Sequence, residues 1–512
     1  MALVNENNVL EFYLSEMDKD NINFLKNRPK FKTEIRRYIL NLKEAENMHE
    51  KIEASKKLWK LLFESAMSYI DPDKRGYDEL FSYFDEFVNF EELIFASDSF
   101  YRDHTVHCLW VYFLGEYITK NKEYGFLFKN QYREFEVMKE LGDVFCKLGL
   151  EDSLKDFISR LKEFYRLIIL EDSKRCIVCL THDLGYPLKK INKINKSIGN
   201  ILPYFSINNF SEFKFNFDMV QKNNIDSFLQ FLSNALNMQF GSEEGDEEAE
   251  NIERKIFITE NGVYNGLNKE NLEKLTEQEI EIVKKSWITR IYLSRNTNYY
   301  FRYSKDFEEY QHGIMSAFLL MRTVKSFANS KLQYSNKSDI SSNDVDYSSY
   351  GTKREILMTV SNHTSSAYRI NDLADDSAIL TFIDELEEFS RISRANQNRQ
   401  YVAEFCKTDI YVENEVFCID FIFDNEELDN LDPEKAFKGR CKRFLTLFDI
   451  PNLSDNLKLR LRCIGKLSYD TNVYSLEIGK KYAKISINDE EKDIPKYLKG
   501  RQFYTREEYE NL

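Results

Sequence analysis

Apolar residues recur three and four positions apart along most of the chain, so the pattern predicts a mainly α fold. Residues 31–42 and 44–69 carry such stripes, the second through Leu58, Leu61, Leu62 and Met67, and Asp71-Pro72-Asp73 stops it. From His104 onward, Val106, Leu109, Trp110, Phe113, Leu114 and Tyr117 fit one helix, and residues 132–170 keep helical periods. Residues 176–180 have no polar face, which marks a buried segment, read as helical. Ile379, Phe382, Ile383, Leu386 and Phe389 form a stripe, with Leu380, Asp384 and Arg391 on the neighbouring strip, so that carboxylate and guanidinium would look the same way. Residues 200–305 read as an insertion. Within it, Phe213, Phe215 and Phe217 alternate as a short strand, residues 226–236 form an amphipathic helix, and residues 241–250 form an acidic loop. A second polar stretch covers residues 329–352.

The last hundred residues change period. Residues 416–423 are β-rich, Asp432-Pro433-Glu434 opens a helix, and Leu457, Leu459, Leu461 and Cys463 alternate with Lys458, Arg460 and Arg462. Residues 474–478 and 482–487 flank Gly479-Lys480 as a hairpin. The expected organisation is an N-terminal helical region over 1–95, a helical core over 96–400 and a small α+β domain over 401–512.

Composition narrows the class. The chain has 512 residues, 42% hydrophobic and 14% aromatic, which supports a globular protein with a sizeable core. A net charge of −15 disfavours a dedicated duplex-DNA binder. Eight scattered cysteines fit a reducing cytoplasm, and Cys176-x-x-Cys179, without a second such pair, reads as core packing rather than a zinc or redox motif. No basic start with an apolar core precedes residue 20, and charges interrupt every apolar run, so a soluble protein without membrane attachment is expected.

The chemistry concentrates at residues 176–187, CIVCLTHDLGYP, where His182-Asp183 ends the apolar run. Burying an unpaired carboxylate is costly, so Asp183 needs either a satisfied hydrogen bond to histidine or a metal ion. Only five other histidines exist: His49, His104, His107, His312 and His363. His104 sits in YRDHTVH, His363 in VSNHTSS, and His312 in YQHGIMSAF, where Gly313, Ser316 and Ala317 make a face suited to close packing. Lys189, Lys190, Lys193 and Lys196 follow the His-Asp pair directly, either as a solvated helix face or as phosphate contacts.

The order His104, His182-Asp183, His312, His363, Asp384 resembles the HD-domain superfamily of metal-dependent phosphohydrolases, over about residues 96–400. YRDHTVH followed by an apolar helix and HDLGYP looks like a group of large bacterial HD proteins. Gly185-Tyr186-Pro187 directly follows the pair and is not the downstream signature of the HD-GYP cyclic-di-GMP phosphodiesterases. The resemblance implies that His104, His182, Asp183 and Asp384 hold one divalent ion. His312 and His363, with Asp183 bridging, hold a second. Imidazole and carboxylate suit Mn, Fe, Co or Zn. Two such ions about 3.5–4 Å apart can share a hydroxide that attacks phosphorus.

In that scheme Arg102, Lys190 and Arg391 contact phosphate, and His107 either orients a ligand or packs. The implied substrate is a nucleotide or other phosphorylated small molecule, with a cyclic or short oligonucleotide phosphodiester favoured. Alternatives from the same scaffold are a dNTP triphosphohydrolase, a nuclease taking a single-stranded end, a di-iron oxygenase and a nucleotide-sensing regulatory protein without turnover. The C-terminal domain is expected to sense a ligand or make homo-oligomer contacts.

Overall fold

The computed structural model describes residues 4–72, 76–95, 100–132, 155, 172–207, 211–212, 217–242, 245–260, 263–267, 269–328, 347–393, 405–428 and 431–494. The chain is mainly α, with one larger sheet, confined to the C-terminal region. At the centre lies the Asp172–Thr181 helix, every residue of which is buried. Helices Met48–Ile70, His104–Lys120, Tyr347–Asn362 and Asp376–Leu386 pack around it. That surround is why residues 176–180 show no polar face, and Cys176 and Cys179 are buried, free thiols within it. Charges at its first turn are paired: Arg175 Nε donates to Glu116 at 2.5 Å, and Lys120 and Arg175 both reach Asp172 Oδ1, at 2.9 and 3.0 Å.

Residues 1–95 do more than cover this core. Trp59, stacked on Phe63 and Phe84 at 5.3 and 4.0 Å, donates its indole N–H to Leu180 O at 2.7 Å. Tyr83 donates to Leu184 O at 2.5 Å. Two aromatic donors thus satisfy carbonyls on either side of His182-Asp183, Leu180 O in the last turn of the helix and Leu184 O in the turn that follows.

Several local readings change. Helix Asp376–Leu386 stops at Glu387, whose ψ of 122° is extended, and Arg391 opens strand Arg391–Ser393 instead of continuing the strip of Asp384. The stop is chemical: Glu387 turns its carboxylate back to accept from Ser390 N and Ser390 Oγ at 2.8 and 2.6 Å. Strand Arg391–Ser393 pairs antiparallel with Phe100–Arg102, setting Arg391 opposite Arg102 in the backbone register. Residues 247–250 begin helix Glu247–Ile256 rather than a loop, their acids sitting in the first turn where the helix dipole favours them. The 226–236 segment is helical only to Ser233, within Met219–Ser233, and then enters strand Asn234–Ser242. That strand pairs with Trp287–Arg295. The predicted strand at 213–217, most of the 132–170 stretch and residues 329–346 lie outside the described residues.

The C-terminal sheet runs in the order 490–492, 482–487, 473–479, 459–465, 416–423, 407–413. Only Val416–Phe423 and Leu459–Gly465 are parallel, joined through helix Pro433–Leu447, which packs on the sheet. Leu459–Gly465 alternates strictly between buried and half-buried positions, as its sequence predicts. Its half-buried Arg460 and Arg462 pair within the sheet, with Glu413 at 2.6 Å and Asp420 at 2.5 Å. Helix Pro433–Leu447 also reaches the core: Arg440 meets Glu388 and Arg443 meets Glu385, both at 2.6 Å. Among the described residues no helix is long and apolar enough to cross a membrane.

A second buried charge group lies at the N-terminus of helix Asp376–Leu386. Burial pushes the Asp376 carboxyl up to about 7; Lys174, 4.0 Å away, opposes the shift and Glu355 adds to it. An unfolded aspartate releases its proton near 3.8, so between about 4 and 7 the folded chain holds a proton that the unfolded chain has lost. Stability from this group therefore falls as pH rises through that window. Asp376→Asn, which keeps the neutral form, is expected to raise the melting temperature at pH 8 and to leave it nearly unchanged at pH 4.5. Equal shifts at both values would show that Asp376 is ionised throughout.

Candidate metal centre

The His182-Asp183 pair lies just past the central helix, in a turn over residues 182–185. Off the helix, the two side chains escape the 100° divergence of helical neighbours and can face one point. Helix His312–Thr323 fixes the turn. Ser316 Oγ donates to His182 O and accepts from Gly185 N, both at 2.7 Å. A Cβ on Gly185 would lie 2.3 Å from His312 O, and one on Gly313 would lie 2.6 Å from Val360 O and 2.8 Å from the His363 ring. The small-residue face of YQHGIMSAF is thus what lets His312, His363 and the 182–185 turn approach one another.

At the other wall, Asp103 caps helix His104–Lys120, its Oδ1 accepting from Thr105 N and Val106 N at 3.0 Å. The cap aims His104 and His107, one turn apart, into the same space.

Asp183 sits between two groups of imidazoles. Its Oδ2 faces His182 Nε2, His107 Nε2 and His104 Nε2 at 3.5, 3.6 and 3.8 Å. Its Oδ1 faces His312 Nε2 and His363 Nε2 at 3.1 and 3.5 Å. Asp384 Oδ1 completes the first group, 3.0 Å from His107 Nε2 and 4.0 Å from His182 Nε2. Four rings have the remaining nitrogen tied to an oxygen. His107 Nδ1 meets Glu387 at 2.5 Å, His104 Nδ1 meets Glu91 at 2.7 Å, His182 Nδ1 meets Cys179 O at 2.8 Å and His363 Nδ1 meets Val360 O at 2.6 Å. Donation from Nδ1 leaves the Nε2 lone pair pointing inward, the arrangement found behind metal-bound imidazoles. The inward His363 Nε2 is buried and makes no hydrogen bond.

Charge agrees with donor geometry. Glu91, Asp183, Asp384 and Glu387 are close together, and the Arg102 guanidinium reaches Asp384 at 3.1 Å and Glu387 at 3.9 Å. Burial alone would raise the Asp183 carboxyl, but His182, His312 and His363 outweigh it and hold it well below the usual carboxylate range. Burial pulls His182 and His312 down to about 4, so both are neutral and able to coordinate near pH 7. Burial and Arg102 also pull His107 down, yet Glu387 and Asp384 push it up to about 9. A proton there takes the place a cation would take, bridging His107, His182 and Asp384. Lone pairs and carboxylates this concentrated, with an orphaned nitrogen, fit a divalent ion, and two overlapping groups meet that need: His107, His182 and Asp384, and His182, Asp183 and His363.

All six predicted ligands, His104, His182, Asp183, His312, His363 and Asp384, line this cluster. Within it His107, expected to orient or pack, is nearer Asp384 than His104 is to Asp183. His104 instead lies against Tyr186, ring centroids 3.9 Å apart and planes tilted by 36°. Arg102 is engaged by acids, donating to Asp384 at 3.1 Å and to Glu387 O at 3.0 Å. Lys190 lies over the Tyr186 ring at 4.5 Å. Arg391 is placed by its backbone opposite Arg102, as above.

Sequence reasoning missed Glu91, Glu387 and Arg443. Glu387 could have been suspected as the residue one turn past a predicted ligand. Glu91 lies in a helix with no chemical pattern of its own. No family model, no curated protein and no solved structure matches the chain.

The Glu387 contact carries a prediction. Glu387→Gln keeps an acceptor but removes the charge behind His107, and is expected to weaken metal affinity by about 10- to 100-fold. Competition with a chromophoric chelator measures this, with His104→Ala and His107→Ala alongside. Unchanged affinity in Glu387→Gln would mean that His107 does not bind the ion.

Proposed function

We propose that the chain is an HD-type metal-dependent phosphohydrolase that cleaves a phosphodiester in a cyclic or short oligonucleotide. The observation carrying this reading is the Asp183 carboxylate, which offers one oxygen to each of two histidine groups. His107, His182 and Asp384 are assigned to one divalent ion and His312 and His363 to a second, with Asp183 between them and His104 at the edge. Mn, Fe, Co or Zn suits such donors. Bound there, ions of this kind lower the pKa of water and polarise phosphoryl oxygens.

The protein's own contribution is to hold these donors in register and to admit phosphate from one side. Asp384, His312 and Arg102 retain 15, 16 and 21% side-chain exposure, while His107, His182 and His363 have at most 1%. The reacting phosphate therefore enters past Asp384, His312 and Arg102. Arg102 offsets the charge of Asp384 and Glu387, so that a phosphate can approach two carboxylates. Lys189 feels the field of Asp183, and Arg443, paired with Glu385, feels that of Asp384. These two cations flank the entrance and favour an anionic substrate.

The test is chromatographic turnover in Mn²⁺, without O₂, on cyclic dinucleotides, linear oligonucleotides and dNTPs. Product from a phosphodiester with wild type, and none with Asp183→Ala, is expected. Product from dNTPs alone would move the assignment to a triphosphohydrolase. No turnover on any of them would remove the hydrolase reading and leave an O₂-dependent di-iron enzyme or a regulatory protein.

A further inference from the structure

Immediately after Asp183 the charge of the chain inverts. Residues 184–211 contain four lysines and no acidic residue, in a protein of net charge −15. Most of this segment is helix Tyr186–Ile201, followed by a short 3-10 turn, Leu202–Phe205. We propose that this helix and its tip form a track for a single-stranded oligonucleotide whose one end lies at the histidine cluster. The proposal rests on the phosphodiesterase reading for the identity of that end.

The track starts inside the site. Tyr186, the first residue of the helix, lies against His104 with ring centroids 3.9 Å apart, and the Lys190 ammonium sits over the Tyr186 ring at 4.5 Å from its centroid. Lys189 is exposed beside them, bonding Gln311 at 3.2 Å. Lys189 and Lys196, seven residues apart, share one helical face, and Lys196 is exposed. At 1.5 Å per residue Lys196 lies about 10 Å beyond Lys189, and the 16-residue helix carries the chain about 24 Å from Tyr186 to the tip.

At its far end the chain presents two rings to solvent. Tyr204 is 90% and Phe205 72% exposed. Ser206, in the left-handed region at φ 58°, turns the chain there. Lysines that follow a backbone and aromatic faces on which bases stack are the two parts of a sequence-tolerant single-strand site, and such sites cover about 4–16 nucleotides. A duplex offers no free base faces to Tyr204 and Phe205, and a mononucleotide cannot span the helix. The chemistry therefore selects a strand of about four nucleotides or more.

Fluorescence anisotropy on the full chain in EDTA, with fluorescein-labelled U2, U4 and U8 and the matching oligo-dT strands, tests the track without turnover. Affinity is expected to rise with length. Tyr204→Ala/Phe205→Ala should weaken U8 at least about tenfold and leave U2 unchanged. Lys196→Glu should also weaken U8 and lower the slope of log affinity against log salt by about 1. All substituted side chains are exposed, and unchanged melting curves verify folding.

Length-independent affinity, or wild-type U8 affinity in the double variant, overturns the proposal. So does sedimentation of the chain with phosphatidylglycerol vesicles that the double variant abolishes while U8 binding stays intact, since the tip would then serve a membrane surface. Length-dependent, variant-sensitive binding with no hydrolysis of U8 in Mn²⁺ would support the track and defeat the phosphodiesterase reading. Hydrolysis of U2 and U8 at equal efficiency, unaltered in the double variant, would do the reverse.

Discussion

Asp183→Ala is expected to strip the cluster of metal and to lower phosphodiester turnover by more than about a hundredfold, beyond the loss typical for a residue behind a ligand. The reason is position. Both oxygens of this carboxylate are engaged, Oδ2 by three imidazoles within 3.8 Å and Oδ1 by two within 3.5 Å, so one substitution removes a donor from both groups. What remains is five imidazoles and Asp384, a set with less charge to offset the dehydration of a divalent ion.

Asp183→Asn separates charge from shape. It keeps an oxygen in place but cannot offer a negative charge to both sides, and the same loss of metal is expected with an unchanged far-ultraviolet dichroism spectrum. Metal-to-protein ratios by mass spectrometry after dialysis decide the matter. A variant that keeps the wild-type ratio would show that the ion, if bound, is held elsewhere.

Gly313→Ala and Gly185→Ala should each destabilise the fold by about 3 kcal/mol, the upper end of overpacking costs, because the atoms in the way are backbone. At Gly185 the new Cβ would meet His312 O at 2.3 Å and Ser316 N at 2.7 Å; at Gly313 it would meet Val360 O at 2.6 Å. Neither carbonyl can move without shifting the helix or turn that carries His312 or His363. Metal affinity should therefore fall together with the melting temperature. Gly439→Ala is the contrast: nothing lies within 4 Å of its Cβ, and in helix Pro433–Leu447 alanine is favoured by about 0.5–1 kcal/mol. Its melting temperature should rise slightly with metal affinity unchanged. If Gly313→Ala melts like wild type, the close approach of the two helices is looser than these distances state.

Short-range periodicity was enough to place the regular elements. Helical stripes placed Pro29–Glu44, Met48–Ile70 and the central apolar segment, and strict alternation placed Leu459–Gly465 and the hairpin after it. Residue types and order singled out His104, His182, Asp183, His312, His363 and Asp384, all of which line one buried space. Small residues beside His312 announced a close approach, and Gly313 and Ser316 make it.

Tertiary structure decided the rest, because the rest depends on partners distant in sequence. That His107 meets Asp384 required a helix 277 residues away to present its carboxylate. Glu91 and Glu387, which set the tautomers of His104 and His107, carry no local mark of that task. Arg391 left the strip of Asp384 because Glu387 folded back on Ser390, a competition between side chain and helix that spacing does not record. The N-terminal helices take part in the site through Trp59, Tyr83 and Glu91, whose donors and acceptor complete groups that a helix end or the 182–185 turn leaves open.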